Sequence, residues 1–252
     1  MLTESSEVSP GELFLLSAGI GDADNLTLKA LNTLKRADLV LAMPFLQQQL
    51  AAYLPEGIPV LDPGHGLFSP LARRGGNPVD IARKEDEIRQ RIRMAISQGR
   101  CVVVVEFGDP TLFGPQAGYL AEFRDLNPTI LPGISSFNAA NALLGQPLLH
   151  DASQRLLMTT AQGLKNYTGS LPDILVLFTM QLDAPTLSQQ LLQRYPPDTA
   201  VALVFHAGFS HAQRSTHLRL DELAATSAAL DIPRECLIYV GQLLPPATTV
   251  PR

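Results

Sequence analysis

Short unbroken apolar runs recur along the chain, and amphipathic stretches separate them. Residues 13–16 (LFLL), 39–42 (LVLA) and 101–105 (CVVVV) carry no polar alternation, as expected of strands buried on both faces of a parallel sheet. Residues 58–61 add another strand between Pro- and Gly-rich turns. Between these runs the period changes to that of helices. Leu28, Leu31 and Leu34 share one face, followed by Lys35; residues 45–53 form a second helix. In residues 79–97, Ile88, Ile92, Ala95 and Ile96 share a face, with Glu85–Arg89 and Glu87–Arg91 spaced as i,i+4 pairs and Gly99 closing the helix.

Downstream, a helix over 116–123 and a strand over 129–131 lead to a helix over 137–144 that stops at Gly145. Strands follow at 155–160, 173–179, 200–205 and 236–240, with helices near 186–194 and 221–228. Residues 214–220 alternate loosely and read as an antiparallel strand. Strand–helix alternation predicts a parallel α/β frame. The expected organisation is two α/β domains, 11–133 and 134–248. Residues 62–77 (DPGHGLFSPLARRGGN) interrupt the pattern, and a loop that long within a domain is functional or disordered.

Composition narrows the picture. Hydrophobic residues make up 46% and charged residues 17%, enough for a core and against disorder. The net charge of -5 argues against a nucleic-acid-binding surface. Cys101 and Cys236 lie in apolar strand runs and read as core residues of a reducing compartment. No apolar run reaches the roughly 18 residues of a membrane span, and residues 1–10 are unlike a signal peptide. The expected location is cytoplasmic.

Candidate chemistry sits in three turns at strand ends: Ser17-Ala18-Gly19-Ile20-Gly21-Asp22, Phe107-Gly108-Asp109-Pro110 and Pro132-Gly133-Ile134-Ser135-Ser136-Phe137. Open α/β sheets bind ligands beyond the carboxyl ends of their strands. The first turn is not GxGxxG, and Asp38 stands at the wrong end of its strand to hold a ribose, which argues against a nicotinamide site. No GxxxxGK[ST] loop is present. His65, His150, His206, His211 and His217 include no i,i+4 pair and no nearby cysteine, so no metal site is expected. A GxSxG elbow would need glycine at Phe137, so Ser135 or Ser136 reads as a helix cap with ligand contact.

Together these turns resemble the tetrapyrrole methylase family, the S-adenosylmethionine-dependent enzymes of cobalamin and sirohaem synthesis. The matching strings are Gly19-Ile20-Gly21-Asp22 with Leu26 to Leu31 and Ala37-Asp38, then Gly108-Asp109-Pro110 with Phe113-Gly114, then Pro132 to Ala140. The resemblance implies two α/β domains with a cofactor cleft between them, as a homodimer. It places S-adenosylmethionine against Ile20, Phe107, Gly108, Asp109, Leu112, Phe113, Ser135, Ser136, Thr179, Met180, His206 and Ala207. Asp109 would order the cofactor turn and Asp22 the first turn near the acceptor, as the catalytic pair.

Departures from the family are Ile20 where proline is frequent, Phe107 where a first glycine is frequent, and Phe178-Thr179 where tyrosine-methionine is common. The last leaves the alignment of Met180 open by one position. The implied activity is C-methylation of a reduced tetrapyrrole or corrin precursor, whose carboxylates Arg73, Arg74, Arg83 and Lys84 would meet. His65 and His206 are the candidates for a base. The alternatives are a protein, peptide or RNA acceptor, or a non-catalytic protein that binds the cofactor or a tetrapyrrole.

Overall fold

The side chains of β4 (Cys101–Glu106) point alternately to two apolar layers, and every one of them is buried. The computed structural model describes residues 10–69 and 76–243. Two units meet in sequence between Ser135 and Ser136.

In the first unit, β4 joins β1 (Glu12–Ser17), β2 (Leu39–Leu41), β3 (Val60–Leu61) and β5 (Thr129–Leu131) in a parallel sheet ordered β3-β2-β4-β1-β5. One face packs Phe14, Leu16, Val103 and Val105 against α1 (Leu28–Leu34) and α2 (Pro44–Leu50). The other packs Leu13, Leu15, Val102 and Val104 against α3 (Pro78–Ser97) and α4 (Gly118–Glu122). This two-sided burial is why the strands are apolar without alternation. Local signals set the helix starts. The Thr27 hydroxyl accepts from the Ala30 amide ahead of α1, and the Asn77 side chain accepts from the Val79 amide ahead of α3.

The described part of the long loop is anchored on α3 and α4. The Tyr119 hydroxyl donates to the Pro63 carbonyl, the Gln116 side chain donates to the Gly64 carbonyl, and the Phe68 amide donates to Glu85. Leu67 is buried, and the Phe68 ring meets Tyr119 edge-on at 4.9 Å. Arg73 and Arg74 lie outside the described residues.

The second unit holds β6 (Leu156–Thr160), β7 (Ile174–Met180), β8 (Ala200–Phe205), β9 (Arg214–Arg219) and β10 (Glu235–Gly241), ordered β6-β7-β10-β8-β9. β6 runs parallel to β7, while β10 runs antiparallel to both of its neighbours, and β9 is antiparallel to β8. α6 (Ala161–Lys165), α7 (Ala184–Leu192) and α8 (Leu223–Ala229) cover one face, and α5 (Ser136–Leu144) lies on the other. Among the described residues no helix is long and apolar enough to cross a membrane.

Candidate active site

The chain leaves β1 towards α1 on one face and leaves the adjacent β4 towards α4 on the other. Turns that diverge from neighbouring parallel strands mark the switch point of an open sheet, where its ligand crevice lies. Here the two turns touch at their bases. The Gly108 amide donates to the Gly19 carbonyl at 2.7 Å, and the Ala18 amide donates to the Glu106 carbonyl at 2.8 Å.

Ser17 ties the turns together. Its hydroxyl donates to the Gly108 carbonyl at 2.7 Å and accepts from the Gly19 amide at 2.9 Å. Gly133, beyond β5, closes over the same hydroxyl, since a Cβ there would lie 2.1 Å from Ser17 Oγ. All three strand-end turns therefore converge on one fully buried serine. Ser17 heads the first of the turns singled out in the sequence, but its linking role was missed there; the signal was a lone polar residue ending an apolar strand.

Gly108 adopts φ +88°, and a Cβ on it would stand 3.9 Å from Ile20 Cδ1 and 4.0 Å from Ser135 Cα. Ile20, Gly108 and Ser135 are thus brought together. Because the Gly108 amide is committed to Gly19 and its carbonyl to Ser17, the residue contributes open space rather than a free polar group. Asp109 accepts from both the amide and the hydroxyl of Thr111, at 2.7 and 2.6 Å, so its carboxylate orders its own turn. Leu112 is half-buried further along that turn, and Phe113 is exposed at φ +57°. Phe107 turns to the α1–α2 face, where its ring meets Phe45 edge-on at 5.1 Å.

Asp22 is half-buried one residue ahead of a short 3-10 turn, Ala23–Asn25. The first turn is held from both sides, because Asn25 Nδ2 donates to the Ile20 carbonyl and Gln49 Nε2 donates to the Gly21 carbonyl. Ser135 directly precedes α5, which begins at Ser136.

Glu106 was also missed. It closes β4 fully buried, with Oε1 accepting from the Phe107 amide at 2.9 Å and Oε2 from the Gln116 amide at 2.7 Å. Burial pushes its pKa up to about 7, and the two amides pull only partly against that. The signal was a charged residue at the end of a valine run.

In the second unit the parallel senses of β7 and β8 bring Met180 and Phe205 to the same end of the sheet's strands, joined through Glu235 and Cys236 of β10. Met180 is exposed there, whereas the Thr179 hydroxyl turns inward and donates to the Cys236 carbonyl at 2.9 Å. His206, at φ +50°, is exposed just beyond β8, and Ala207 is buried behind it. His65 is exposed in the first unit. Arg83 pairs with Asp80 and Lys84 with Glu87 along α3. Among the described residues no group of three or more His, Cys, Asp or Glu could hold a metal.

A parallel sheet whose β1, β4 and β5 turns meet at a glycine-lined switch point, followed by a mixed five-stranded unit, defines a two-unit α/β ligand-binding protein. More closely, the chain belongs to the tetrapyrrole (corrin/porphyrin) methylases, whose family model matches residues 12–224. It is 27% identical over 248 residues to the uroporphyrinogen-III C-methyltransferase of Bacillus subtilis, covering 93% of this chain and 91% of that protein. It is 28% identical over 255 residues to the siroheme synthase of Pseudomonas fluorescens, spanning 94% of this chain but 51% of that protein. A crystal structure of a uroporphyrin-III-C-methyltransferase from Thermus thermophilus superposes with a TM-score of 0.68 at 26% identity, covering 92% of each chain.

Proposed function

We propose that the chain is an S-adenosylmethionine-dependent methyltransferase acting on carbon of a reduced tetrapyrrole of the uroporphyrinogen type. The observation that carries this reading is the Gly108 turn. Its positive-φ glycine leaves room beside Ile20 and Ser135 that any Cβ would begin to fill. The relatives named for uroporphyrinogen-III methylation, one of them matched over nearly its whole length, support the acceptor class.

S-adenosylmethionine, when bound, supplies a sulfonium methyl for in-line displacement by an electron-rich carbon. The protein's part is to align the two reactants and exclude water. Ile20, Gly108, Asp109, Leu112, Phe113 and Ser135, with the backbone of Phe107 whose ring packs on Phe45, form the proposed cofactor subsite in the first unit. Asp109 fixes its turn through Thr111, and Asp22, in the adjoining turn, is proposed on the acceptor side on the resemblance alone. Ser136, Thr179, Met180, His206 and Ala207 are proposed on the resemblance alone. For Thr179, with its hydroxyl directed at Cys236, the contribution would be the backbone. A homodimer and a cytoplasmic location belong to the same proposal; sedimentation of the purified chain tests the first.

Calorimetric titration with S-adenosylhomocysteine tests the reading. Micromolar binding, about -8 kcal/mol, is expected of the wild type, with loss in Asp109→Ala. A folded wild type that does not bind overturns it. Methylation of uroporphyrinogen III by binding-competent protein then tests the acceptor.

A further inference from the structure

The turn from Phe107 to Gln116 begins and ends on one carboxylate. Glu106 Oε1 takes the first amide and Oε2 the last. Gly114 folds so closely over the carboxylate that a Cβ there would lie 2.8 Å from Oε2. Among the described residues no cation pairs with this group. A buried, uncompensated carboxylate is a costly way to close a turn. The cost is understandable if the turn's geometry matters more than its stability.

We propose that ionised Glu106 is a positioning residue for cofactor binding, holding both ends of the 107–116 turn so that Gly108 and Asp109 present the geometry the ligand needs. The proposal rests on the function stated above. Ionisation matters because each oxygen then meets an N–H donor. Protonation turns one oxygen into a donor facing an amide that is itself a donor, and that end of the turn loosens. The effect extends further through Gln116, whose side chain donates to the Gly64 carbonyl at 2.8 Å and so links this turn to the β3–α3 segment.

The ionisable groups on the neighbouring elements are Asp22 beyond β1, Asp109 within the turn, Tyr119 on α4, Asp62 and His65 in the β3–α3 segment, and Glu85 on α3. None of them contributes to the displaced titration of Glu106, which burial raises and the two amides lower.

The test is S-adenosylhomocysteine affinity by calorimetry between about pH 6 and about pH 8, on wild type and Glu106→Gln, beside the amide proton shifts of Phe107 and Gln116. Wild-type affinity is expected to weaken roughly tenfold towards the acid end, tracking both amides with a midpoint near 7. Glu106→Gln, which offers one acceptor and one donor in place of two acceptors, is expected to bind roughly tenfold more weakly at about pH 8 and to show a flat profile. Wild-type-like binding by the variant, or an unchanged pH profile in it, overturns the proposal. Should the variant not fold, the wild type decides alone, because affinity that does not titrate with the two amides overturns the proposal as well. A folded wild type that never binds the probe removes the underlying function reading, an outcome distinct from binding that ignores Glu106.

Discussion

The Ser17 hydroxyl donates to the Gly108 carbonyl at 2.7 Å, across 91 residues of chain and between two adjacent parallel strands. The same oxygen accepts the Gly19 amide, so one side chain fixes the relative position of two turns. Ser17→Ala leaves a buried carbonyl and a buried amide without this partner. The expected loss is about 1–3 kcal/mol of unfolding free energy in a urea titration, with weaker S-adenosylhomocysteine binding.

Two glycines separate strain from space. A Cβ at Gly108 meets only ordinary contacts at 3.9 and 4.0 Å, so Gly108→Ala is opposed by its positive φ alone, about 1–2 kcal/mol. A Cβ at Gly133 would run into Ser17 Oγ at 2.1 Å and displace the hub serine. Gly133→Ala is therefore expected to be the more destabilising of the two by thermal unfolding. The reverse order would contradict the placement of Ser17.

Glu106 makes stability depend on pH in an unusual direction for a carboxylate. Its pKa rises from 4.5 to about 7 on folding, so between those values the folded chain keeps a proton that the unfolded chain has lost. Stability from this group falls as pH rises through that window, by about 3 kcal/mol in all. Urea midpoints at about pH 5 and about pH 8 should show a larger acid-side gain for wild type than for Glu106→Gln. Equal slopes in the two proteins would count against the burial of the carboxylate.

The Phe45–Phe107 pair meets edge-on at 5.1 Å. A double-mutant cycle with alanine at both positions should return a coupling of about 0.5–1.5 kcal/mol, read from denaturant unfolding. No coupling would mean that Phe107 does not pack against α2.

The strands of the first unit were legible because burial on both faces writes itself as an unbroken apolar run, and Val102 to Val105 show it most plainly. β3 is shorter than its apolar residues suggest, pairing with β2 only at Val60 and Leu61. A preceding Pro59 has no amide to add to the ladder. The expected Glu85–Arg89 and Glu87–Arg91 pairs rested on helix spacing. In the structure Arg89 pairs with Asp86 and reaches across to Glu122, while Glu87 pairs with Lys84. Tertiary partners compete with helical ones, and spacing cannot see them.

The turns of the site were legible as strings, but not what binds them together. Ser17, Gly133 and Glu106 act through contacts to backbone atoms distant in sequence, and a carbonyl leaves no mark on residue identity. The inward turn of the Thr179 hydroxyl is of the same kind. It depends on β10 lying beside β7, and a reading of consecutive elements does not supply that neighbour.

The position of β10 bears on how the chain acquires its second half. β6 pairs with β7 and β8 pairs with β9, but the two pairs are bridged only by Glu235–Gly241. In chain order this segment follows the other four strands, so the β6–β7 and β8–β9 pairs cannot be joined into one sheet before residues 235–241 are made. Closure of that sheet is a late event, set by the arrival of one strand rather than by the order in which the helices form. A chain lacking residues 235–241 is left with two unjoined strand pairs, whose inner edges at β7 and β8 are unpaired.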